Sequence, residues 1–152
     1  MAVNYKPADN QNVIPYLVIP DPAKELEFVK QVFGAKEIHV SRDQGRIMHA
    51  TVKIGDSVVM MGQASQQFAA LPAAIYIYVP DVDATYKRAL ATGAASVMEP
   101  ADQFYGDRNG GVKDSNGVQW WMATHIEDVS NEELDRRATE AFKKRAHAQK
   151  QA

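Results

Sequence analysis

Short apolar runs fill most of this chain, and twice the pattern changes from a strand to an amphipathic helix. Residues 13–19 are β-branched and aromatic, which predicts a strand. Pro20 ends it, Asp21 suits a helix N-cap, and Pro22 suits the first helical position. Leu26, Val29 and Phe33 then recur at helical spacing among charged and amide residues, so 23–33 predicts a helix with one buried stripe. Gly34 suits the residue just past its end. Strands are predicted at 36–40, 47–54 and 57–61, with turns at 41–45 and 55–56.

The plan then repeats. Tyr16-Leu17-Val18-Ile19-Pro20-Asp21 returns 60 residues later as Tyr76-Ile77-Tyr78-Val79-Pro80-Asp81. The second copy predicts a strand at 74–79, a helix at 82–92 and a strand at 96–98. A long loop follows at 99–109, then strands near 111–113 and at 118–123. The fold is therefore expected to be α+β, with two βαβββ modules. The boundaries are an arm at 1–12, modules at 13–62 and 74–129, a linker at 63–73, and a C-terminal helix at 130–152. In that helix Ser130 and Glu133 have capping-box spacing, and Leu134, Ala138, Ala141 and Phe142 form one apolar stripe.

Composition narrows the chemistry. The 152 residues contain no cysteine, which excludes disulfides, thiolate catalysis and iron–sulfur clusters. A net charge of -2 gives no basic field for nucleic acid. No apolar run reaches the ~20 residues of a membrane span, and the N-terminus lacks a signal-peptide core. A cytoplasmic location is expected, with no nucleic-acid or membrane partner.

Strand side chains alternate between two faces. One face of each module must cover its helix; the faces bearing tyrosine hydroxyls suit a partly wet concave surface. With the 60-residue repeat as a guide, that surface carries Tyr16, Tyr76, Tyr78, Met61 and Trp121, with His49 and Thr51 beside them. His49 is the candidate acid–base group. Trp121 with Tyr76 and Tyr78 forms a candidate stacking platform. Phe104 and Arg108 lie in the predicted loop, where they can close over a ligand, Arg108 as the contact for an anion. His125, before the acidic turn Glu127-Asp128, is read as an edge or capping residue.

The paired modules, the Pro-Asp before each helix, and Asp114-Ser115-Asn116-Gly117 before an aromatic strand resemble the vicinal oxygen chelate superfamily. Within it the chain is most similar to the PhnB-like, glyoxalase/bleomycin resistance branch. The resemblance covers roughly residues 12 to 129. It implies modules paired as a partly open barrel and a homodimer. Enzymes of that family hold a divalent metal on the first and last strands of each module. Carried over here, the positions are Ile14, Met61, Ala74 and Trp121, none of which suits a hard or borderline divalent cation. No metal and no cofactor are expected. The first functional expectation is a metal-free protein that binds an aromatic or amphipathic small molecule in a cleft. The alternatives are a glyoxalase-like lyase or isomerase whose metal is displaced or lost, with His49 as acid–base group, and a structural dimer without ligand.

Overall fold

A computed structural model describes residues 2–152. The first module runs β1 (Tyr16–Ile19), α1 (Pro22–Phe33), β2 (Lys36–Asp43), β3 (Arg46–Ile54) and β4 (Ser57–Gln63). The second runs β5 (Ala74–Tyr78), α2 (Val82–Ala91), β6 (Ala95–Asp102), β7 (Asp107–Lys113) and β8 (Gln119–His125). The final helix is α3 (Asn131–Gln151). Each module forms one four-stranded sheet, ordered β1-β4-β3-β2 and β5-β8-β7-β6, and neither sheet closes. Among the described residues no helix is long and apolar enough to cross a membrane.

The helix starts follow local chemistry. The Asp21 carboxylate accepts from the Lys24 N–H at 3.1 Å, and Asp81 accepts from the Ala84 N–H at 3.0 Å. Gly34 closes α1 in the left-handed conformation, φ 66°. At α3 only half of the expected capping box forms. Ser130 Oγ accepts from the Glu133 N–H, but the Glu133 carboxylate is drawn instead to Arg136 and Arg137.

The predicted loop at 99–109 is a β-hairpin. β6 extends to Asp102, a turn closes with Gly106 N–H donating to Gln103 C=O, and β7 starts at Asp107. Pro100 of this strand cannot donate to a sheet. β6 is an edge strand, where a missing N–H is tolerated, and the pairing register shifts between Met98 and Ala101.

The repeat is not uniformly 60 residues. Lys53 pairs with Val58, leaving four residues in the first hairpin; Lys113 pairs with Gln119, leaving five in the second. The last strands therefore correspond at a spacing of 61. Tyr16 lies beside Met60 as Tyr76 lies beside Trp121. A one-residue slip moves a side chain to the other face of a sheet. Met61 accordingly stands on the helix side beside Leu17, fully buried, and Met60 takes the place expected of Met61. We expect Met61→Lys to lower stability by about 3 kcal/mol or more. Met60→Lys should cost under about 1 kcal/mol, because its ammonium can reach water. Urea unfolding of both variants checks this; the reverse ranking would restore the uniform repeat.

The helix sides of the two sheets meet in one core. Leu17, Ile19, Ala50, Val52, Val59 and Met61 pack with Leu26, Val29 and Val32 of α1; Val112, Trp120 and Met122 pack with Val82, Tyr86 and Ala89 of α2. Trp120 joins the modules, with its ring 4.9 Å from Phe33 and 6.1 Å from Phe28. Arg88 of α2 donates to the Val32 carbonyl of α1 at 3.1 Å. Because the helix sides face inward, the opposite sheet faces form the outside of the molecule.

Candidate functional site

On the open face of the first sheet, Tyr16, Met60 and Thr51 lie in one cross-strand row, with His49 and Gly62 in the next. The Tyr16 ring lies across Gly62, where a Cβ would sit 2.5 Å from the tyrosine oxygen. Glycine here lets the ring lie flat on the strand. The ring tilts against His49 with centroids 5.6 Å apart. His49 thus has an aromatic neighbour, not a carboxylate that would orient its imidazole for proton transfer.

On the open face of the second sheet the corresponding row is Tyr76, Trp121 and Gly111, followed by Tyr78, Ala123 and Asn109, then His125 and Asp107. Trp121 lies across Gly111 much as Tyr16 lies across Gly62; a Cβ there would be 2.9 Å from the indole. Tyr76 and Tyr78 meet edge to face at 5.5 Å. Both hydroxyls donate to the same oxygen of Asp107, each at 2.8 Å. The other Asp107 oxygen meets His125 Nδ1 at 2.9 Å, and His125 Nε2 meets Asp128 at 2.8 Å. Asn109 donates to Tyr105 Oη at 2.6 Å and to Tyr76 Oη at 3.3 Å. Asp107 and Asn109 are buried beneath this row, while 46% of Tyr76 and 62% of Tyr78 stay exposed.

The electrostatics fix the protons. Burial pushes the Asp107 carboxyl up, but hydrogen bonds from His125, Tyr76 and Tyr78 together outweigh it and leave the pKa below its ordinary value. Burial raises Tyr76, and Asp107 adds to that, although the Asn109 amide opposes it. The hydrogen bond to Asp107 raises Tyr78. Both tyrosines therefore remain donors at neutral pH. His125 is raised by its hydrogen bonds to Asp107 and then Asp128. A histidine raised on folding stabilises the fold below its unfolded pKa, and that contribution fades as pH rises through the folded value. We expect the His125 ring, followed by NMR, to titrate above the ordinary histidine midpoint, and Asp107→Asn to lower that midpoint. An unchanged midpoint would dissociate His125 from Asp107.

Of the residues expected from sequence, Tyr76, Tyr78 and Trp121 come together on one open face, and Tyr16 and His49 on the other. The ring contacts stay within a module: Tyr16 with His49, Tyr76 with Tyr78. Three expected residues stand elsewhere. Met61 is in the core. Arg108 alternates to the helix side, where Asp83 of α2 binds its guanidinium through two contacts at 2.8 and 2.9 Å and Asp102 through a third at 3.0 Å. Phe104 sits in the β6–β7 turn and packs on Tyr105 and on Phe142 of α3. Reading 99–109 as a loop concealed Asp107, Asn109 and Tyr105. Read as a strand, Asp107, Asn109 and Gly111 fall on the face of Trp121 by simple alternation. A groove of about 630 Å³ opens beside β5 at the module junction, lined by Phe33, Ile75, Tyr76, Ile77, Tyr78 and Trp120 among others.

With Met60 in place of Met61 beside Tyr16, as Trp121 stands beside Tyr76, the four positions that the resemblance implies for metal ligands become Ile14, Met60, Ala74 and Trp121. Two aliphatic side chains, a thioether and an indole do not fit a hard or borderline divalent cation.

Comparison with known proteins agrees with this architecture. Residues 12–122 match the family model of the Glyoxalase/Bleomycin resistance protein/Dioxygenase superfamily. An uncharacterized protein of Mycobacterium tuberculosis strain H37Rv is 32% identical over 146 residues, covering 88% of this chain and 84% of that protein. The crystal structure of TioX from Micromonospora sp. ML1 superposes with a TM-score of 0.66 at 25% identity, covering 77% of this chain and all of that one. The PhnB protein of Bacillus cereus gives 0.61 at 21% identity, covering 75% and 99%. The chain belongs to the glyoxalase/bleomycin resistance protein/dioxygenase superfamily.

Proposed function

We propose that this chain is a metal-free small-molecule binding protein, which holds an aromatic or amphipathic ligand against its open sheet faces. The observation that carries the proposal is the wall of Tyr76, Tyr78 and Trp121. The two tyrosine rings are exposed and Trp121 is half-buried, yet buried Asp107 fixes the two tyrosine hydroxyls. Holding rings in place before a ligand arrives lowers the entropy that binding must remove. Planar apolar surface with a few fixed polar groups is the usual makeup of a ligand site.

Each open face is one wall, and the ring contacts of each wall stay within its own module. A second copy brings the Tyr16 and His49 face of one protomer against the Tyr76, Tyr78 and Trp121 face of its partner, so the binding unit is a homodimer. The apolar character of the ligand-position row supports a site that works without a metal. The enzyme alternative rests on His49 as acid–base group, and the Tyr16 ring beside it supports a binding role better.

Elemental analysis of the purified protein tests the metal-free reading. Light scattering on the same sample tests the dimer. Substoichiometric metal and twice the chain mass are expected. Stoichiometric nickel, zinc, iron or manganese would overturn the first part, and a monomer at micromolar concentration the second.

A further inference from the structure

Next to Trp120 the modules are joined by a further contact, and its chemistry is unusual. Glu25, on the buried side of α1, is 1% exposed, and Asp114, at the β7–β8 turn of the other module, is 7% exposed. Two carboxyl groups rarely share a buried site unless a proton or a cation lies between them. Their partners can be followed oxygen by oxygen. Asp114 Oδ1 accepts from the N–H groups of Asn116 and Val118 at 2.9 and 3.0 Å. Asp114 Oδ2 accepts from Trp120 Nε1 at 2.9 Å. Asn116 reaches back to α1, donating to Glu25 Oε2 at 3.0 Å and to the Asp21 carbonyl at 2.9 Å; its own oxygen accepts from the Asp21 N–H at 2.8 Å. One atom is left: Glu25 Oε1 is buried and has no donor.

Asp114 supplies no donor of its own, and a proton carried by Glu25 would give Oε1 a hydrogen bond and remove the clash of two buried negative charges. We propose that Glu25 is a carboxylic acid at neutral pH, that it donates this proton to Asp114, and that the acid–carboxylate pair is a pH-dependent clasp between the two βαβββ modules.

The surroundings favour a proton over a cation. The Asp114 oxygens already accept three hydrogen bonds, and a calcium or magnesium ion needs about six oxygen ligands or more. Among the groups that act most on Glu25, Asp114 is the titratable one; Asn116 and Trp120 are neutral donors, and Lys24 and Glu27 line the cleft outside. Burial first, then the hydrogen bond and charge of Asp114, push Glu25 up to about 9, against smaller opposing effects of Asn116 and Trp120. A cleft of about 330 Å³, lined by Asp114 with Lys24 and Glu27 among others, lets water reach the turn. The sign follows from the raised value. The clasp contributes fully below the unfolded glutamate pKa, and its contribution declines as pH rises towards about 9. Above that, two adjacent carboxylates repel across the junction.

Infrared spectroscopy of the wild-type protein from pH 6 to 10, paired with urea unfolding of wild type and Glu25→Gln, tests this. A glutamine keeps the shape and an N–H donor towards Asp114 but cannot ionise. The expected result is a protonated-carboxyl band in the wild type at pH 7 that disappears near pH 9. The wild-type urea midpoint should fall between pH 5 and 9, with a clearly smaller fall in Glu25→Gln. Absence of the band at pH 7 would overturn the proposal even if the variant failed to fold. Identical pH profiles for the two proteins would also overturn it, as would stabilisation of the wild type at pH 8 by added calcium or magnesium that Glu25→Gln abolishes.

Discussion

Replacing Trp120 with alanine lowers the unfolding free energy by about 3–5 kcal/mol, a large part of the total stability of an ordinary domain. Three losses combine. The indole is fully buried, so its removal leaves a cavity that packed neighbours cannot close. Phe28 and Phe33 lose the ring that ties α1 to the second sheet. Asp114 loses the N–H donor on its Oδ2, next to the buried Glu25. Trp120→Phe separates these effects: it keeps most of the apolar area and removes only the donor, which should cost about 1–3 kcal/mol. Urea unfolding followed by circular dichroism gives both values. A loss under about 1 kcal/mol in Trp120→Ala would mean that the aromatic cluster does not join the modules.

Asp107→Ala has the largest expected effect on binding. It removes the acceptor shared by Tyr76 and Tyr78 and the partner of His125 Nδ1. Both tyrosines are on the surface and can turn their hydroxyls to water, so the fold survives while the rings lose their fixed orientation. Ligand affinity is expected to fall at least about tenfold, equivalent to about 1.4 kcal/mol. The phenol titration of Tyr76 and Tyr78 should move down, since Asp107 contributes to raising both. Asp107→Asn keeps an oxygen that accepts from both hydroxyls, and it should retain more affinity than the alanine variant. Equal affinities in wild type and Asp107→Ala would remove the tyrosine wall from the site.

Local signals made the helices and first strands legible. Asp21, Pro22 and Gly34 act on adjacent backbone groups, so a reading of neighbours suffices. The helix side of each sheet was also legible where register is set within one strand, as with Leu17 and Ile19 against Tyr16. The faces failed where register depends on a turn. One additional residue in the second hairpin exchanges Met60 for Met61, and the residue names do not announce the difference. The hairpin at β6–β7 was hidden because its strand character depends on the sheet: β6 carries Pro100, which is tolerated at the edge position that only the fold reveals. That single misreading concealed Asp107 and Asn109 and left Arg108 free to point anywhere. Its salt bridges to Asp83 and Asp102 join a helix to a hairpin and require the fold to be known. The Glu25–Asp114 pair was out of reach for the same reason, since its members lie on different modules.

A fluorescence titration of chelator-treated protein with a panel of aromatic antibiotics and metabolites asks whether the aromatic site works without a metal. Trp120 is sealed in the core, whereas Trp121 is half-buried on the open face and reports contact with a ligand. The expected result is a saturable change in emission with at least one compound, lost in Trp121→Ala. Binding that appears only after nickel, zinc, iron or manganese is restored, or no saturable change with any compound, would contradict it.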